Sequence, residues 1–184
     1  MDWKTVTEQA NQLFKELNSL HKDFYKLWAS NVFLTWRWWI ALSLIVIPWG
    51  LWFLLRKKES ADRLMHAGFF VMLVSSSMDM VGIALGLWSY PANVFPLMPE
   101  FIPFDISALP VATMLLIQFF PKIIPFYKAV IYSACGSFIF QPFMKLVGLY
   151  DNLGWKNYYS FPFLFAIYLG ANYMFNKDRY KKIG

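Results

Sequence analysis

The sequence predicts an all-α fold: a polytopic membrane bundle of about five transmembrane helices preceded by an amphipathic N-terminal helix. Three observations carry this. Of the 184 residues, 58% are hydrophobic and 15% charged, against roughly 45–50% and 25% in an ordinary soluble domain. A core of this size cannot hide so much apolar surface from water. The apolar residues gather in long runs separated by short polar or proline-rich stretches, and the first thirty residues have a helical seam of their own. The same composition excludes disorder and a nucleic-acid-binding domain. One cysteine, Cys135, excludes an internal disulfide framework and a Cys-cluster metal site.

The arm comes first. Trp3, Val6, Ala10, Leu13, Leu17, Leu20, Phe24 and Leu27 alternate spacings of three and four, with charges on the other faces. Two readings stand. One is a coiled coil that makes the protein a homo-oligomer. The other is an amphipathic helix lying in the membrane interface or across the protein's own loops, favoured because Phe14, Tyr25 and Trp28 widen the stripe beyond a strict seam. Trp36, Arg37, Trp38 and Trp39 then mark entry into the headgroup region. The expected organisation is an arm over 1–34, a membrane bundle over 35–176 and a basic tail over 177–184.

A bilayer core of about 30 Å takes about 20 apolar residues per helix. The expected spans are 36–55, 64–88, 106–120, 129–148 and 161–175, the third and fifth short, with four spans as the rival count. Lys and Arg set the orientation. Arg56, Lys57, Lys58, Arg63, Lys122, Lys128 and the tail cations share one side, whereas residues 89–104 carry no Lys or Arg. The net charge of +6 therefore reads as orientation in a bacterial plasma membrane, with the C-terminus cytoplasmic and the N-terminus outside. Lys4, Lys15, Lys22 and Lys26 in the arm run against that assignment. No cleavable signal peptide is evident.

The second span is the most informative. Asp79 lies inside it, where a charge costs at least about 2.5–3.5 kcal/mol. Gly68, Met72, Ser75, Asp79, Gly82 and Gly86 fall on one small, polar face. Gly82 and Gly86 form a G-x-x-x-G pair suited to close helix approach, a second route to self-association. Asp79 is thus either a ligand-binding or proton-carrying carboxyl or a hydrogen-bonded packing residue. The segment 90–105 holds four of the ten prolines; it is stiff, apolar and expected either to lie against the outer interface or to cover the bundle as a lid. Asp105 stands where a helix N-cap belongs, and Glu100 is expected exposed at the interface. Gln141-Pro142 kinks the fourth span, so Gln141 either satisfies freed backbone groups or lines a polar pocket. Gln118 adds another intramembrane amide. Lys145 is expected to snorkel outward, and Cys135, in Ala134-Cys-Gly-Ser137, to pack.

Catalytic signatures are missing: no H-E-x-x-H, Walker A or G-x-S-x-G occurs. No cofactor or metal site is expected.

The stretches Leu87-Trp-Ser-Tyr-Pro91, Pro99-Glu-Phe-Ile-Pro-Phe-Asp105-Ile-Ser-Ala-Leu-Pro110, Gln118-Phe-Phe-Pro-Lys122, Gln141-Pro142, Gly148-Leu-Tyr150 and Trp155-Lys-Asn-Tyr-Tyr-Ser-Phe-Pro162 resemble a family of small multi-pass membrane proteins of spore-forming Firmicutes. The resemblance covers roughly residues 65–175 and implies the fold and a membrane location, without an activity. It also implies Trp at the position of Phe104 and an acid at that of Gln141, so that this chain lacks one intramembrane carboxyl.

Three functions follow as expectations. The first is a binding protein for a membrane lipid or other apolar molecule, with a pocket built from Asp79, Gln118, Gln141, Ser75 and Asp105. The second is a non-catalytic accessory or assembly subunit. The third, an intramembrane lipid-modifying enzyme using Asp79, rests on fold-level analogy alone.

Overall fold

The computed structural model describes residues 2–98 and 100–177. It is 78% helical, with no strands among the described residues beyond one isolated bridge between Ser89 and Asp151. Six helices follow one another: α1 Trp3–Asn31, α2 Trp36–Leu55, α3 Ala61–Ala84, α4 Phe104–Phe119, α5 Pro125–Val147 and α6 Asn157–Phe175. Most of the expected basic tail lies outside the described residues.

Three of these are long and apolar enough to cross a membrane: α2, α3 with its leading turn, and α5. Helix α4 is apolar but shorter, about 24 Å at 1.5 Å per residue. Helix α6, expected as the fifth span, begins four residues earlier than 161 and carries Asn157, Ser160 and Asn172 among its aromatics. Only 11% of the apolar window of α2 is buried within the chain. Leu54, Leu73, Leu85 and Leu146 are each at least 69% exposed, which is lipid-facing behaviour for apolar helices.

Backbone chemistry explains the helix ends. Helix α3 stops at Ala84, short of 88, because Gly86 takes a left-handed φ of +69°. The Leu87 N–H then donates to Gly82 O and the Gly86 N–H to Ile83 O, a Schellman close. Gly148, at φ +80°, ends α5 in the same way on Met144 O and Lys145 O. Wide π-helical turns occupy Phe104–Ala108 and Gly136–Phe140. Each directly precedes an X-Pro pair, Leu109-Pro110 and Gln141-Pro142. Pro110 has no N–H for Ile106 O, and the Trp49 indole donates to that carbonyl instead, at 3.1 Å.

Helices α2 to α6 run alternately up and down. At one end Arg37 reaches Val147 O (3.0 Å), Trp38 reaches Val94 O (3.3 Å) and Ser89 pairs with Asp151. At the other, Gln118 joins α4 to the end of α2 and Arg63 lies over the Phe175 ring. The core runs between α3, α4, α5 and α6 through Leu64, Val71, Met114, Tyr132 and Tyr168. In α1 only Trp28 is buried, its indole donating to Asn93 O at 2.7 Å. The arm does not lie across the protein's own loops beyond that last turn: Trp3, Leu13, Phe14 and Leu20 are all exposed.

Candidate functional site

Asp79 is buried near the last turn of α3, and its carboxyl is filled by the segment that follows. Oδ1 accepts the Trp88 indole N–H at 2.6 Å and the Tyr90 hydroxyl at 2.7 Å; Oδ2 accepts the Phe101 backbone N–H at 2.9 Å. All three donors come from the proline-rich connection between α3 and α4. The left-handed Gly86 turns that connection back, and Gly82 lets the Trp88 ring close on α3: a Cβ there would meet that ring at 2.0 Å. Gly82 is therefore covered from within the chain, whereas Gly86 lies beyond the helix and is exposed. Asn93 orders the rest, donating to Met98 O and Glu100 O and accepting from Val94 N–H. The expected lid exists, and Asp79 is its anchor. Glu100 is half-buried rather than exposed.

Beneath the lid lies a cavity of about 120 Å³. It takes Ser75 and Asp79 from α3, Asp105 from α4, Gln141 from α5 and Ser160 from α6. The two π turns bring Asp105 and Gln141 to it, in keeping with the frequent use of such bulges at functional sites. Asp105 makes no cap hydrogen bond, which corrects the N-cap reading. It is 4% exposed and faces the Asp79 carboxyl. Ser75 donates to its backbone carbonyl at 3.2 Å. Gln141 uses its amide N–H on Ser160 Oγ at 2.8 Å, where the Trp155 indole also donates. Gln141 thus takes the pocket role of its two readings.

Three polar atoms of the cavity wall have no partner: Asp105 Oδ2, Gln141 Oε1 and the Tyr150 hydroxyl. Burial, reinforced by Asp79 and Asp151, pushes the Tyr150 phenol up to about 12. Burial and then the Asp79 charge raise Tyr90 as well. Both remain O–H donors at neutral pH. Aromatic rings line the same wall: Trp88 packs edge-on to Trp155 at 5.1 Å, and Tyr90 stacks on Phe101 at 4.8 Å.

Gln118 is not at this site. It lies at the opposite end, where Nε2 donates to Leu55 O at 2.9 Å and Oε1 accepts the Lys57 N–H at 2.8 Å. That clasp satisfies groups left over at the end of α2. Lys145 pairs with Asp151 at 3.3 Å, both half-exposed. Cys135 is exposed; the small residue that packs is Gly136, whose Cβ would meet Leu164 at 2.6 Å. Lys128, counted with the loop cations, is buried and donates to Phe120 O.

Trp88, Tyr90, Asn93, Tyr150 and Trp155 were not expected at the site, although all but Asn93 fall in the quoted motifs. A signal for the first two exists: a buried acid needs donors, and an indole N–H and a phenol O–H follow shortly after the Gly86 turn.

Fold and site together define an all-helical chain with membrane-length apolar helices and a lidded acidic and aromatic cavity. No family model, curated protein or solved structure matches the chain.

Proposed function

We propose that this is a five-crossing plasma-membrane protein that binds the polar end of a lipid or other apolar molecule in the cavity beneath its lid. The observation that carries the reading is the pair of unpartnered buried acceptors, Asp105 Oδ2 and Gln141 Oε1, on one cavity wall. A buried acceptor left unmade costs about 1–3 kcal/mol, and an occupant that donates to it removes that cost. Asp79 already has three donors, so the ligand-facing carboxyl in this reading is Asp105. Leu109, Leu164 and Ile167 supply apolar wall for the rest of the molecule.

Five crossings agree with the alternation of α2 to α6. The end carrying Arg56, Lys57, Lys58, Arg63 and Lys122 is then cytoplasmic and the lid faces outward.

Native mass spectrometry of protein gently extracted from its own membrane, wild type against Asp105→Asn, tests the binding reading. A discrete bound mass that the variant loses is expected. Bare protein in both that also takes up no small amphiphile from solution overturns it.

A second reading, an assembly subunit, is favoured by one observation: the exposed stripe Leu13, Leu17 and Leu20 on α1. Crosslinking between copies, or to a second polypeptide, that requires those leucines supports it. Uncrosslinked monomer counts against it.

A further inference from the structure

The unpartnered atoms, the charge and the walls of the cavity agree on the chemistry of its occupant. Two of the unpartnered atoms, Asp105 Oδ2 and Gln141 Oε1, act as acceptors. A hydroxyl carries one donor hydrogen and a protonated primary amine three, so one amine can serve both. The cavity is lined by two carboxyl groups and by no Lys, Arg or His. Asp79 has three neutral donors and Asp105 Oδ2 has none, and the two carboxyl groups face each other, so both can be ionised only with a cation beside them. A buried carboxylate without a counter-charge is costly. The rings of Trp88, Tyr90, Phe101, Tyr150 and Trp155 line the same space, and aromatic faces attract cations. At about 120 Å³ the cavity approaches the roughly 150 Å³ of an engineered cavity that accepts benzene. That is room for an ammonium head and a short stretch of chain.

We infer that the cavity takes a primary alkylammonium group, its N–H donors on Asp105 Oδ2 and Gln141 Oε1 and its charge against the aromatic walls. The inference rests on the pocket-binding reading above and specifies its ligand class. A quaternary ammonium is the poorer fit, because it has no N–H and leaves both acceptors unmade. A metal ion is poorer still, since N–H and O–H donors already cover the Asp79 oxygens.

The test uses the full chain in deuterated detergent and two probes of equal length, n-butylammonium and butan-1-ol, titrated by saturation-transfer NMR at neutral pH. Butylammonium is expected to bind at least about tenfold more tightly than butanol. Asp105→Asn is expected to bring butylammonium down to the level of butanol, and Gln141→Glu to widen the gap between the two probes. The Gln141→Glu comparison reads the same charge preference with Asp105 intact, so a misfolded Asp105→Asn does not void the test. Equal binding of the two probes to the wild type overturns the ammonium assignment and leaves the pocket-binding reading standing. Binding of neither overturns both. Native mass spectrometry distinguishes the source. An aminolipid carried through extraction, and lost in Asp105→Asn, assigns the ammonium to a lipid headgroup. Bare protein that takes butylammonium from solution assigns it to a free amine.

Discussion

Two aspartates 26 residues apart in the chain share one buried space and divide its work. Asp79 holds the lid through three donors, and Asp105 presents an oxygen that nothing in the protein meets. Their substitutions should therefore differ. Asp79→Ala leaves the Trp88, Tyr90 and Phe101 donors without their acceptor. It is expected to cost about 3 kcal/mol or more and to expose the lid to protease. Trp88→Phe removes one of those bonds, for about 2 kcal/mol in thermal unfolding in detergent. Gly82→Ala drives a methyl into the Trp88 ring, where the gap is 2.0 Å, and is expected to cost about 1–3 kcal/mol. Equal melting of Gly82→Ala and wild type would contradict the lid packing. The weight on Asp79 is legible from sequence, because an acid in an apolar run has to be satisfied. The assignment of roles is not, because it depends on which donors the chain brings back after Gly86.

The helices themselves were largely readable, with α2 matching its expected bounds residue for residue. The misplaced ends trace to backbone details: a left-handed Gly86 closes α3 early, and Pro125 opens α5 at a position that needs no N–H. The π turns before Pro110 and Pro142 were not readable, since nothing in residue type separates them from a simple proline kink. They turn Asp105 and Gln141 into the cavity, so the site was only half visible. Gln118 shows the converse. Its chemistry suited a pocket, but its helix carries it to the far end, where it clasps α2. Gln118→Leu strands the Leu55 carbonyl and the Lys57 N–H and is expected to cost about 2 kcal/mol. Ligand binding should be unchanged, which separates the clasp from the pocket.

For the whole molecule, exposed leucines on α2, α3 and α5 and alternating helix directions join in one arrangement, with the cations of the α2–α3 and α4–α5 connections at one end and the lid at the other. In a Cys135→Ala background, single cysteines at Lys57 and Lys156 are expected to react with a membrane-impermeant thiol reagent from opposite sides of intact cells; labelling from one side contradicts five crossings. The central claim is that the cavity exists for an occupant, and an experimental structure of the chain in a lipid bilayer tests it most directly. Non-protein density that reaches both Asp105 Oδ2 and Gln141 Oε1 and continues along Leu164 and Ile167 is the predicted result. A cavity holding only water, or one collapsed so that protein groups meet both atoms, would contradict it.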